Sequence, residues 1–190
     1  SGKTTTLYSS LRFLASEGNN ITTIEDPIEM VHEQFNQIGV RPKLDLNFAN
    51  ILRHVLRQDP DIIMIGEMRD LETATNAIQA ALTGHLVLST LHTNDAPSAI
   101  TRLIDLGVQP FLISSTLTGV AAQRLVRKIC PHCEESYQVG VADLAPLRLR
   151  MKPGTELELK TGKGCQQCRN TGYLGRTGVF EVLPMGEKLG

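Results

Sequence analysis

At 190 residues, with 41% hydrophobic and 21% charged residues, the chain has room for one ordinary domain plus a small satellite and the composition of a soluble globular protein. No apolar run approaches the roughly 18–20 residues of a membrane span, and no signal peptide is visible in this stretch. Net charge is −1 but uneven: residues 124–176 carry ten Lys/Arg against five Asp/Glu and the remainder nine against fifteen, so two modules are expected.

The first residues, Ser1-Gly2-Lys3-Thr4-Thr5, read as the end of a G-x-x-x-x-G-K-[ST] phosphate-binding loop whose opening glycine lies outside this sequence. Backbone N–H groups of such a loop, with the start of the next helix, cradle the β- and γ-phosphates of ATP. Lys3 would neutralise phosphate charge and the Thr4 hydroxyl would ligate Mg²⁺. A solvated turn is the competing reading of these five residues alone.

From Thr4 to Ser16, apolar residues at Leu7, Leu11 and Leu14 with Gly18 as a stop predict the helix that follows such a loop. Ile21–Ile24 reads as a short buried strand, ended by Glu25-Asp26-Pro27. Residues 31–40 look extended and hairpin-like. Asn47 caps a helix with Phe48, Ile51, Leu52, Val55 and Leu56 on one face, broken by Asp59-Pro60-Asp61. Ile62-Ile63-Met64-Ile65 is the continuous apolar run of a parallel strand buried on both faces, ended by Gly66-Glu67. A helix is expected over about Leu71–Thr83, a strand over Leu86–Leu91 ending in His92-Thr93-Asn94, and helices over Ala96–Leu106 and Pro110–Arg127. Strands alternating with helices predict a parallel α/β sheet flanked by helices, here a RecA-like P-loop NTPase core over 1–127. In that architecture ligands sit at the carboxyl ends of strands, which here carry Glu25/Asp26, Glu67 and His92.

Beyond Lys128 the pattern changes. Cys130-Pro-His-Cys133 and Cys165-Gln-Gln-Cys168 are two pairs at a spacing that turns both thiolates onto one tetrahedral Zn²⁺. Disulfides and a thioredoxin-like redox pair are the poorer explanations, and His132 is a neighbour of the sulfurs rather than a ligand. A short strand is expected over Thr177–Leu183. Residues 128–190 therefore form a small tetracysteine zinc module.

Hydrolysis of a γ-phosphate needs charge neutralisation, an oriented water and a group that polarises it. Lys3 supplies the first. Glu25 is the better candidate to orient or activate water, and Glu67 occupies the place of a Walker B acid, where an Asp is commoner. His92 could bond the γ-phosphate and report its loss. His85, Asp26 and Glu29 are supporting candidates. Arg53 and Arg57, one helical turn apart, have a solvated face as the default reading and a neighbour's nucleotide as the functional one.

Together these segments resemble the secretion ATPase superfamily, which includes type II secretion motors and type IV pilus assembly motors. The resemblance rests on Ser1-Gly2-Lys3-Thr4-Thr5 as a Walker A tail and Thr23-Ile24-Glu25-Asp26-Pro27-Ile28-Glu29 as an Asp box. It also rests on Arg57 through Asp70 as a Walker B region, Thr83 through Asn94 as a His box, and the cysteine pairs with Thr171 through Gly178 as the metal domain. It implies a homo-hexameric ATPase, cytoplasmic and peripheral to the inner membrane, acting with a membrane platform protein and neither inserting in the membrane nor binding nucleic acid. It further implies Glu25 as general base and Cys130, Cys133, Cys165 and Cys168 as structural zinc ligands. Retraction motors of the superfamily lack the cysteine module, so its presence argues for secretion or pilus extension. The chain is expected to be a fragment and to hydrolyse ATP poorly on its own. The competing classes are a RecA-like nucleic-acid motor with a basic zinc ribbon, and a zinc-stabilised interaction module whose nucleotide site is dead.

Overall fold

The computed structural model describes residues 2–16, 18–140 and 156–186. The chain clusters into two compact units, Ser1–Arg124 with Phe180–Gly190, and Leu125–Val179.

The first unit runs α1 (Lys3–Leu14), β1 (Ile21–Glu25), β2 (Asn36–Gly39), α2 (Phe48–Val55), β3 (Ile62–Ile65), α3 (Leu71–Leu82), β4 (Leu86–Ser89), α4 (Pro97–Asp105) and α5 (Pro110–Thr116). The strands form one parallel sheet in the order β2-β1-β3-β4. Every residue of β1 and β3 is buried, as helices on both faces require. Alternation divides the core: Ile24, Ile63 and Ile65 pack with Ile51, Leu52 and Val55 of α2 and Ala77 and Ala80 of α3, while Ile21, Ile62 and Met64 pack with Tyr8 and Leu11 of α1. Each fully buried aliphatic side chain contributes about 1.5–3 kcal/mol.

The helices start where their caps dictate. Asn47 accepts a bond from the Asn50 N–H at 2.8 Å, and Asp70 accepts one from the Thr73 N–H at 2.8 Å. The register pairs Ile24 with Ile65 and Ile65 with Ser89, so β1, β3 and β4 end together along one edge of the sheet.

Two expectations need correction. Residues 31–40 contain no hairpin; Asn36–Gly39 instead joins β1 as a parallel edge strand. The expected helix over 110–127 stops at Thr116, and Gly119–Ile129 is a strand, β5. Its partner is β8 (Tyr173–Pro184), which contains the expected Thr177–Leu183 strand. Long-range pairing overrides the helix propensity of Ala121-Ala122-Gln123-Arg124-Leu125.

In the second unit, β6 (Glu134–Gly140) and β7 (Glu156–Gly162) pair antiparallel between the two cysteine pairs. The buried residues described within 125–179 are Cys130, Cys168 and Gly172. Gly162 and Gly172 meet backbone to backbone, and a Cβ on either would overlap the other's carbonyl. Among the described residues, no helix is long and apolar enough to cross a membrane.

Candidate active site and metal centre

Gly2 opens α1 in the left-handed conformation, at φ 76°. That geometry turns the chain into the helix, with Lys3 and Thr4 in its first turn. No acidic side chain occupies that turn, so the exposed amides and the helix dipole favour an anion. The Lys3 ammonium donates to the Leu91 carbonyl at 3.5 Å, directly before His92.

Glu67 follows β3, and its position is fixed through the backbone. Gly66 N–H donates to the Ile24 carbonyl at 2.8 Å, Thr90 Oγ1 donates to the Gly66 carbonyl at 2.7 Å, and Met68 N–H donates to the Thr90 carbonyl at 3.0 Å. A Cβ at Gly66 would sit 3.3 Å from the Ile24 carbonyl, tighter than ordinary contact, so a glycine lets the strand ends approach. The Glu67 side chain then accepts from Arg69 on Oε1 and lies 3.0 Å from His92 Nε2 on Oε2. Burial raises the Glu67 carboxyl, but the Arg69 and His92 hydrogen bonds outweigh it and hold the group below the usual carboxylate range. His92 is itself exposed, which leaves its ring accessible. Lys3, the 91–92 segment and Glu67 are thus brought into one chain of contacts.

Glu25 has a different setting. It is 3% exposed at the end of β1, inside a cage of donors. Thr23 Oγ1 donates to Oε1 at 2.6 Å and Gln37 Nε2 to the same oxygen at 3.2 Å. The Tyr8 hydroxyl, from α1, lies 2.8 Å from each carboxylate oxygen. Burial and the adjacent Glu25 push the Tyr8 phenol above its usual value, so it stays protonated at working pH. Among the described residues, no hydrogen bond joins Glu25 to Lys3, Glu67 or His92. Sequence reasoning missed Tyr8 and Gln37. Tyr8 falls three residues before Leu11 on the buried stripe of α1, a signal readable as core and silent about its hydroxyl.

The remaining candidates lie elsewhere. His85 precedes β4, at the opposite edge of the sheet, and its Nδ1 donates to the Ala80 carbonyl at 2.9 Å as a cap on α3. Arg53 pairs with Glu72 at 2.6 Å, with both side chains 55% exposed. Arg57, Asp26, Glu29 and Thr5 are exposed, and Ser1 lies outside the described residues.

In the second unit the sulfurs of Cys130, Cys133, Cys165 and Cys168 all lie within 4.8 Å of one another. Three of the separations are 3.9, 3.9 and 3.7 Å. A tetrahedral zinc with Zn–S near 2.3 Å requires sulfurs about 3.8 Å apart, so the donor set fits that ion. His132 is exposed and outside the set. Burial raises the thiols of Cys133 and Cys168. Cys133 is pushed up to about 12, whereas backbone N–H groups of Cys165 and Gly172 bring Cys168 down to about 6. Such N–H···S bonds stabilise the thiolate that a metal binds.

The whole chain, residues 1–190, matches the family model described as type II/IV secretion system protein. It is 56% identical over 185 residues to the type IV pilus assembly ATPase TfpB of Acinetobacter baylyi, covering 97% of this chain and 32% of that protein. It is 54% identical over 183 residues to the type II secretion system protein E of Pseudomonas aeruginosa, covering 96% of this chain and 36% of that protein. The chain thus spans about a third of the length of the curated relatives it matches. Among solved structures it is similar to the pilus retraction motor PilT with bound ADP, at 42% identity and TM-score 0.60 over 69% of this chain and 41% of that one.

Proposed function

The chain belongs to the type II/IV secretion system protein family, and from that premise we propose that it carries the ATP-hydrolysing site and the zinc module of a type II secretion motor. The observation that carries this reading is the contact chain from Lys3 through the 91–92 segment to Glu67, at the carboxyl ends of adjacent parallel strands. That is where the architecture binds ligands.

In this mechanism Lys3 and the α1 amides neutralise the phosphates of ATP. The Thr4 hydroxyl, a hard oxygen in the first turn of α1, would hold Mg²⁺, whose chemistry when bound is charge neutralisation on the β- and γ-oxygens. Glu25 takes the proton of the attacking water. Its Oε2 is the less occupied oxygen, since Thr23 and Gln37 both bond Oε1. Glu67 holds His92 in place, and His92 reports loss of the γ-phosphate. Arg53 and Arg57 face a neighbouring subunit's nucleotide in a homo-hexamer, where Arg53 exchanges Glu72 for phosphate. Cys130, Cys133, Cys165 and Cys168 would hold a structural zinc, for which four thiolates are a complete donor set. Residues 1–127 act as the ATPase core and 128–190 as the metal domain. The assembly works in the cytoplasm against an inner-membrane platform protein, without nucleic acid.

The similarity to TfpB favours a second reading, pilus assembly, which uses the same site. Complementation with the full-length gene, wild type and Lys3→Ala, tests both. Exoprotein release lost with Lys3→Ala supports secretion, piliation lost supports pilus assembly, and loss of neither contradicts the motor assignment.

A further inference from the structure

Glu25 poses a problem that the reading above does not solve. A general base alternates between a charged and a neutral form, and at 3% exposure water cannot adjust to each in turn. The surrounding protein must satisfy both forms. Thr23 and Gln37 donate to Oε1, which accepts in either form, so neither supplies an acceptor for a proton on Oε2.

Tyr8 differs in having two places to send its single proton. Its hydroxyl oxygen is 2.8 Å from both carboxylate oxygens of Glu25 and 2.9 Å from the Met30 carbonyl. Gln37 braces this arrangement: its two Nε2 hydrogens are shared among the Tyr8 oxygen at 2.7 Å, the Met30 carbonyl at 2.9 Å and Glu25 Oε1 at 3.2 Å, while its Oε1 accepts from the His32 N–H at 2.6 Å. The Tyr8 ring is fixed in the core beside Leu11 and Phe35. The ring therefore stays while the hydroxyl turns. Among the hydrogen-bonding partners of Glu25, contributed by α1, β1 and β2, Tyr8 is the one that titrates.

We propose that Tyr8 is the positioning residue of the general base, its hydroxyl donating to the Glu25 carboxylate before proton transfer and accepting from the Glu25 acid afterwards. This rests on the ATPase reading above. In the step itself a water O–H bond breaks, its proton forms a bond to Glu25 Oε2, and the water oxygen bonds the γ-phosphorus. The β–γ bridging oxygen leaves with its electron pair on ADP. The Tyr8 proton never leaves its oxygen; it turns from Oε2 to the Met30 carbonyl and frees a lone pair for the new Glu25 O–H. When Glu25 releases its proton to the phosphate product, the hydroxyl turns back.

The test is steady-state ATP hydrolysis by the full-length protein with Tyr8→Phe, which keeps the ring and removes the hydroxyl. The expected result is a fall in kcat of about tenfold or more with KM for ATP within about twofold. A ring-fluorinated tyrosine at position 8, which keeps a hydroxyl donor in the same shape, retains kcat within about threefold of wild type. Wild-type kcat with Tyr8→Phe, or a loss with the fluorinated residue equal to that with Tyr8→Phe, overturns the proposal. A full-length wild-type protein with no turnover overturns the ATPase reading itself, and the role of Tyr8 with it. Turnover in wild type that is lost with Lys3→Ala keeps that reading whatever Tyr8 does.

Discussion

The α/β unit and the 125–179 unit hold their functional groups in opposite ways. In the first, Glu25 and Glu67 are carried at the ends of strands whose Ile24, Ile63 and Ile65 are fully buried, and the polar site rests on an apolar core. In the second, β6 is exposed from Glu134 to Gln138, and the buried residues described are two cysteines and a glycine. A unit this short is marginal in the apolar surface it can bury against chain entropy. The first unit carries its site on an apolar core, whereas the second is expected to depend for its fold on a metal at its clustered cysteines.

Metal removal is the sharpest way to break that contrast. Chelation, or Cys168→Ser, should withdraw about 10 kcal/mol or more of metal-linked folding free energy from residues 125–179. Hydrogen exchange should then show lost protection across β6 and β7 with protection of β1 and β3 retained. Simultaneous loss in both units would overturn the distinction. The converse perturbation is Ile63→Ala, expected to cost about 2–5 kcal/mol through lost burial and a cavity. Chemical denaturation followed in the α/β unit should register that cost while zinc content stays at wild type.

Gly172→Ala probes the second unit without touching a sulfur. The new methyl meets the Gly162 carbonyl, and the Gly172 N–H bonds Cys168 Sγ at 3.3 Å. An overpacking cost of about 1–3 kcal/mol is expected, read as weaker zinc retention in a competition assay. Retention equal to wild type would show that the close approach of the two glycines is dispensable.

What the sequence revealed follows the same division. Ile62–Ile65 announces a buried parallel strand because four consecutive apolar residues suit few other structures, and Asn47 and Asp59-Pro60-Asp61 bracket α2 by local chemistry alone. The cysteine spacing likewise needs no tertiary information. The strand β5 was illegible because its partner β8 begins more than forty residues later, and Ala, Gln, Arg and Leu favour helix locally. The parallel placement of Asn36–Gly39 depends on β1, not on its own four residues. At the site, carboxylates at strand ends could be read from order along the chain. The cage around Glu25 could not, since Tyr8, Gln37 and Met30 meet it only through the fold.

The smallest expected effect concerns Glu67. Its carboxyl is held below the ordinary value of 4.5 in the folded chain, so its contacts with Arg69 and His92 stabilise fully above that pH. The contribution is lost as pH falls through the lower, folded value. Glu67→Gln should therefore melt slightly below wild type at neutral pH, with the two curves converging in acid. A gap that widens in acid would contradict the assignment.

The central claim, that the carboxyl edge of the α/β sheet hydrolyses ATP, is tested most directly by ATP turnover of the full-length protein with and without Lys3→Ala. Turnover at least about a hundredfold lower in the variant, with zinc content and melting temperature unchanged, is the predicted result. Equal turnover in the two proteins would contradict it.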